Sequence, residues 1–550
     1  MNILRIRVYR IIMARSSLGE ARYQPDLRRI EPSGNYSRMN NSIVTQAFGD
    51  KADRFAARIA DRDHTLWAES PVELADRLGW LDIASRMLSE VDDLVAVADG
   101  VKADGFTNAV LLGMGGSSLG PEVLRRSIGS APGYPVLRVV DTTSPEVVSA
   151  LRSELDLKKT LFIVSSKSGT TIEPNVLYAY FRGELEAIVG DKAGTHFVAV
   201  TDAGSALEAL GTEAGFRRVF TADPNIGGRY AVLSHFGLVP AAIAGMDVRR
   251  LLENAIVIER QLQPGADVHG SLGWRIAAEL AVANSVGRDK VTFVEDDNSS
   301  GFGLWAEQLL AESLGKEGKG LVPIASEPPL PEAAYTSDRF MAQIATDTPG
   351  ADIPGVNTSI ADPYELGGLF LAWEYATAVL GVELGVQPFN QPNVQAAKDA
   401  TDRVLSQSNP PELTSVSSLS ALLDQRNDGD YVAIMAFVPE TAEINAALSE
   451  LRSKISDRTG LATTLGYGPR FLHSTGQLHK GGPNSILAFQ ITQDHETNPA
   501  IPGRDFGFAE LIDAQAAGDF DALTAAGRRV ARAHLTGSVP EQLRALVDSI

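Results

Sequence analysis

The chain contains no cysteine. Disulfide staples, thiolate metal ligands and thiol nucleophiles are therefore excluded; a reducing compartment is compatible with this absence, and a cytoplasmic setting is expected. It also lacks any apolar run of about 20 residues, so no membrane-spanning helix is expected. Positive charge is in deficit: 49 Lys and Arg stand against 69 Asp and Glu, a formal net charge of −20. Such a surface repels nucleic acid and anionic membranes, and neither is expected as a partner. An anionic substrate would have to be caught by local donors working against the overall field. Glycine, by contrast, is plentiful, with 50 in 550 residues, and glycine serves where backbone must approach a ligand closely. The length allows two or three domains of roughly 100–200 residues each.

Residues 1–45 look like a poorly structured arm, with Arg5, Arg7, Arg10 and Arg15 scattered among apolar residues and no uninterrupted apolar core of a secretory signal. Residues 46–105 carry Ala and Leu at helical spacing. From Asn108 the texture changes. Short β-like runs at Ala109–Leu112, Val136–Val140, Thr160–Val164, Phe197–Val200 and Arg218–Phe220 alternate with helical stretches at Pro121–Ser127, Glu146–Glu154, Glu173–Val189 and Ala206–Ala214. That alternation predicts an α/β fold with a parallel sheet covered on both faces. A first lobe with its leading helices is expected over 46–247. A second α/β lobe is expected over 248–505, with helices at Arg249–Gln263 and Gly273–Val286 and strands at Lys290–Val294, Arg339–Ile344, Tyr431–Phe437 and Ile486–Ile491. Residues 506–550, rich in Ala, Leu and acids, are expected to form a helical C-terminal tail.

Three loops have the chemistry of an anion site. Gly113-Met-Gly-Gly-Ser-Ser-Leu-Gly120 follows a strand and precedes a helix, offering Gly116, Ser117 and free backbone N–H groups at a helix N-terminus. Its glycine spacing fits neither the dinucleotide fingerprint nor a nucleotide P-loop. Ser165-Ser-Lys-Ser-Gly-Thr-Thr171 gathers five hydroxyls and one Lys at the next such junction. A structural N-cap needs one hydroxyl, so this density points to ligand binding. Gly227-Gly-Arg229 lets backbone come close and can place a fixed charge on an oxyanion.

These loops, in order, resemble the motifs of the glucose-6-phosphate isomerase family, as does Gln308-Leu-Leu-Ala-Glu312-Ser-Leu-Gly-Lys. The C-terminal half looks closest to the isomerase portion of fused transaldolase/glucose-6-phosphate isomerase proteins, although no transaldolase barrel is visible. The resemblance implies two sugar-isomerase (SIS) lobes, each an α/β/α sandwich with mainly parallel sheets, flanked by helical N- and C-terminal segments. It implies no cofactor and no metal, a small sugar phosphate as substrate, and a homodimer with residues of both subunits at each site. The implied reaction is the reversible isomerisation of glucose 6-phosphate and fructose 6-phosphate in glycolysis and gluconeogenesis. Ser117, Ser166, Lys167, Ser168 and Thr171 would bind phosphate, with Gly116, Gly228 and Gln308 completing the substrate site.

Such an isomerisation needs ring opening, a base that moves a proton between C2 and C1, and stabilisation of the enediolate. Glu312 is the candidate base, near the end of a helix Gly303–Leu314 that Gly315 would cap. Arg229 is the enediolate partner, since it stays charged. Ring opening suggests His473, in His473-Ser-Thr-Gly-Gln477, with His479 as the alternative. Lys398 follows Gln387-Pro-Phe-Asn-Gln-Pro-Asn, which resembles the family's lysine motif. The family order is Glu, His, Lys, whereas here the His motif comes last. His235 is expected to be a packing residue. Two other readings are a non-catalytic SIS module that senses sugar phosphates, and a dual phosphoglucose/phosphomannose isomerase. The second follows from Ser168-Gly169 standing where many family members have a bulkier pair.

Overall fold

A computed structural model of the chain describes residues 43–550 except 332–333, 346–352, 394–400, 402 and 407–411. The arm expected over 1–45 lies outside the described residues up to 42. Helices fill most of 43–103 and pack mainly on other helices, burying Trp80, Met87, Leu94 and Val101 in one apolar core with residues of the first sheet.

That sheet comprises β1 (Asn108–Gly113), β2 (Val136–Val140), β3 (Thr160–Ser165), β4 (Phe197–Asp202) and β5 (Arg218–Ala222), all parallel in the order β2-β1-β3-β4-β5. Leu161 to Val164 of β3 are wholly inaccessible, as a central strand covered on both faces by helices requires. The intervening helices begin on sequence signals. Ser144, for instance, accepts a hydrogen bond from the Val147 amide, and Pro145 occupies the first helical position. Strand order reverses between β1 and β3, and in open α/β sheets the crevice for ligands lies beyond the carboxyl ends at such a switch point. The Gly-rich loop leaves β1 there, and the hydroxyl-rich loop leaves β3.

Two further parallel sheets follow residue 248. One contains β6 (Lys290–Glu295), β7 (Val322–Ile324), β8 (Arg339–Ile344) and β9 (Gly355–Thr358) in the order β7-β6-β8-β9. The other contains β10 (Tyr431–Ala436), β11 (Ala462–Tyr467), β12 (Ile486–Gln493) and β13 (Arg529–Leu535) in the order β11-β10-β12-β13. Their edges β7 and β11 meet at Arg452, which donates to the carbonyls of Ala325, Ser326 and Thr463 and to the Thr463 hydroxyl. The stretch 506–550 has the expected helices, Phe508–Ala525 and Val539–Asp548, and between them β13 completes the third sheet. Arg529 and Arg532 disguise this strand as a polar helical stretch. Their guanidiniums are engaged by Asp430 and Gln490 rather than lying free in water.

The third sheet is clamped to the first through polar side chains. Arg470 pairs with Asp141 at 2.7 Å, Thr143 donates to Gln515 at 2.7 Å, and His495 bridges Glu146 at 3.0 Å and Asp513 at 3.2 Å. Although burial opposes its charge, the two carboxylates hold His495 protonated and raise it to about 9. A folded-state value above the unfolded one gives stability that is full below the unfolded pKa and lost as pH rises through about 9. His495→Ala should therefore lower Tm at pH 6, and the deficit should shrink towards pH 10; a pH-independent deficit in a thermal melt series would show that the imidazolium pair is not the clamp.

Candidate active site

The helix Phe302–Leu314 is buried on every face. A polar residue on such a helix must find partners inside the protein. Glu307 turns to the second sheet and accepts from the Ala325 amide at 3.1 Å, and burial raises its carboxyl to about 7. Gln308 and Glu312, one turn apart, turn instead to the switch-point crevice. Glu312 is 6% exposed. Its Oε2 accepts from Arg229 Nη1 at 3.1 Å and from Gln308 Nε2 at 3.3 Å, while no hydrogen bond to Oε1 occurs among the described residues. Burial raises the Glu312 carboxyl above its ordinary value, and the Arg229 charge pulls the other way. The helix stops at Gly315, which has φ −77° and is not a left-handed cap. Glycine is needed there because a Cβ would lie 2.6 Å from Leu478 Cα and 2.5 Å from the Ala311 carbonyl.

Arg229 is nearly inaccessible, and each of its five N–H groups has an acceptor. Nε donates to Ser313 at 3.1 Å, Nη1 to Glu312 and to Gln391 at 2.5 Å, and Nη2 to the carbonyls of Pro388 at 3.0 Å and Asn390 at 3.2 Å. Its contribution to an oxyanion is therefore its charge, delivered from a fixed position. Lys316 binds the carbonyl of Gln387, in the same turn, and burial together with the Arg229 charge lowers its amine well below the usual value.

The glycines of the first loop permit two close approaches. A Cβ on Gly116 would lie 2.0 Å from the Gly228 carbonyl, and one on Gly115 would lie 2.7 Å from both Gln308 Nε2 and the His473 carbonyl. The Gly-rich loop is thus in close contact with the backbone at Gly228 and His473 and with the Gln308 side chain. Ser117 sits half-buried in the turn between Gly113 and the helix Leu119–Ser127. In the second loop, the Ser166 hydroxyl lies 3.4 Å from that of Thr171 and accepts from the Gly169 amide at 3.2 Å, whereas Ser168 is exposed and meets Thr170 at 2.8 Å. The Lys167 ammonium turns aside to Asp202 and to the Pro224 carbonyl at 3.0 Å. Hydroxyls and backbone amides at the head of the helix Ile172–Val189 thus face the crevice without that ammonium.

His473 stands at the carboxyl end of the third sheet, in the turn after β11. Its Nε2 donates to Glu173 Oε1 at 3.0 Å, and its carbonyl accepts from Gln308 at 2.8 Å. Glu173 also accepts from Gln515 at 2.7 Å. His479 is buried against Tyr431 and Phe471, and desolvation keeps it neutral, with its pKa lowered to about 3. Of the two alternatives, only His473 reaches the crevice. Lys398 lies outside the described residues. His235 packs on Phe220 and pairs with Glu90.

Gln391 and Lys316 lie inside the quoted motifs and Glu173 lies two residues past the hydroxyl-rich one, but none of the three drew an assignment. Gln477 accepts from the Asn393 amide at 2.8 Å and donates to the Gly315 carbonyl at 3.0 Å, tying the Glu312 helix to the 387–393 turn. Gln515 carries no sequence signal, because its importance lies only in the neighbours it meets.

Residues 83–269 match the sequence profile of the phosphoglucose isomerase family. Over 389 residues, covering 60% of this chain and 90% of the relative, it is 28% identical to the glucose-6-phosphate isomerase of Mycoplasmopsis pulmonis. Over these residues the chain is similar to the glucose-6-phosphate isomerases. The likeness of fold extends past the profile match. A glucose-6-phosphate isomerase of Chlamydia trachomatis superposes with a TM-score of 0.51 at 19% identity, covering 68% of this chain and 86% of that one. A hypothetical protein of Thermus thermophilus superposes with a TM-score of 0.56 at 24% identity, covering 66% and 98%.

Proposed function

We propose that the protein interconverts glucose 6-phosphate and fructose 6-phosphate, as the relatives bearing the glucose-6-phosphate isomerase name do, and that it acts in glycolysis and gluconeogenesis. One observation carries the reading. A buried carboxylate, Glu312, has one oxygen pinned by Arg229 and Gln308 and the other without a partner among the described residues, in a crevice rimmed by the Gly-rich and hydroxyl-rich loops. Phosphate would rest on the hydroxyls of Ser117, Ser166, Ser168 and Thr171 and on backbone amides. The N–H of Lys167 would contribute there, its ammonium being spent on Asp202. His473, oriented by Glu173, would move the proton at the ring oxygen, with Lys398 assisting. Glu312 Oε1 would take the C2 proton and return it to C1, because one carboxylate oxygen can reach two adjacent carbons in turn. The fixed Arg229 charge would stabilise the enediolate between those steps. Gln308 Oε1, buried with no donor among the described residues, offers an acceptor for a sugar hydroxyl. A homodimer and a cytoplasmic setting belong to the same proposal.

The test is conversion of fructose 6-phosphate by the purified protein, with mannose 6-phosphate as a parallel substrate; binding without turnover would identify a sensor instead. Gly169 has φ +70°, and a Cβ there would lie 2.5 Å from the Leu207 amide. Glycine at this point thus serves the turn and is no argument for extra room near C2. His473→Ala should lower kcat on the cyclic substrate about 10²-fold or more, the usual weight of a general acid–base group, and should spare an open-chain analogue. Equal losses on both would assign His473 another role.

A further inference from the structure

We infer that one polypeptide furnishes the whole described catalytic constellation, because its third α/β unit delivers the ring-opening histidine to its own chain's site. This rests on the isomerase reading above. The phosphate loops and Arg229 come from the first sheet, and Glu312 and Gln308 come from the helix before β7. His473 and Gln477 come from the turns after β11, and Gln515 comes from the helix Phe508–Ala525.

Contacts across these units are direct and buried. Gln308 donates to the His473 carbonyl at 2.8 Å, and His473 donates to Glu173 at 3.0 Å. Gln515 holds Glu173 at 2.7 Å and takes the Thr143 hydroxyl at 2.7 Å. Gln477 is fully inaccessible and bonds Gly315 at the end of the Glu312 helix. For the same groups to arrive from a second copy, these bonds would have to open together.

The same placement gives a physical account of the motif order. The histidine follows the lysine motif in sequence because it belongs to the third α/β unit, whose β11 edge abuts β7 and whose strand-end turn opens on the shared crevice. For the described residues, Arg229, Gln308, Glu312, His473 and Glu173, the site is assembled within one chain.

The experiment is intersubunit complementation. Glu312→Gln and His473→Asn chains carrying different tags are co-expressed, and mixed oligomers are isolated by sequential capture. If each site belongs to one chain, the mixed species shows only the residual activity of the two variants alone. Recovery of about half the wild-type activity per dimer, one restored site of two, would overturn the inference. If no mixed oligomer is captured, wild-type turnover as a monomer supports it equally. If the Asn variant does not fold, by circular dichroism, His473→Gln replaces it. Absence of turnover in the wild-type protein would instead count against the isomerase reading.

Discussion

Glu312→Gln is expected to lower kcat by about 10²–10⁴-fold while leaving KM close to the wild-type value, the range assigned to a positioned proton-transfer group. The substitution keeps shape and the capacity to accept from Arg229 and Gln308 while removing the basic oxygen. Arg229 retains four other acceptors, so the fold should hold, as a denaturant titration beside the kinetics would verify. The pH profile supplies a second readout. The base works only when ionised, so turnover falls as pH drops through its pKa. Burial raises that pKa despite the Arg229 charge, which places the acid limb of kcat/KM above the range of an ordinary carboxylate. In the Gln variant that limb should vanish from whatever activity remains. A variant with unchanged kcat would remove Glu312 from the reaction.

Legibility in the sequence followed the range of the interactions. The first sheet was readable strand by strand because its members are short apolar runs between capped helices, and β2 and β8 fall at their expected limits. The strands that escaped notice have local texts that mislead. β7 is three residues long, β9 is a polar Gly-Val-Asn-Thr edge, β11 begins Ala-Thr-Thr, and β13 carries two arginines. Without β7, β11 and β13, two sheets after residue 248 read as one lobe. At the site, the Ser/Thr turn and the Gln308–Glu312 spacing are local patterns, so they could be seen. The Glu173–His473 pair spans 300 residues, and Gln515 meets Glu173 across 342. No spacing rule reaches that far. Lys167 shows the opposite failure: its motif suggested an ammonium on phosphate, but Asp202, at the end of the neighbouring strand, competes for the charge.

Arg229→Ala is expected to cost about 3–5 kcal/mol in stability as well as activity, because removing one member of a buried ion pair strands the other. Among the described residues Glu312 would keep only Gln308 as a donor, and it would shift towards the neutral acid, which cannot accept the C2 proton. The carbonyls of Pro388 and Asn390 and the Gln391 amide would lose their donor, loosening the turn that leads towards Lys398. Arg229→Lys separates the two contributions. A lysine restores a cation beside Glu312 but, with a single ammonium, cannot span Ser313, Glu312 and the 388–391 turn together. It should therefore recover a larger share of the acid limb than of thermal stability. Measured together, Tm, kcat and the pH profile of kcat/KM distinguish charge from bracket: a lysine variant with native Tm and native kcat would show that the five-point grip is dispensable, and that any cation at this position suffices.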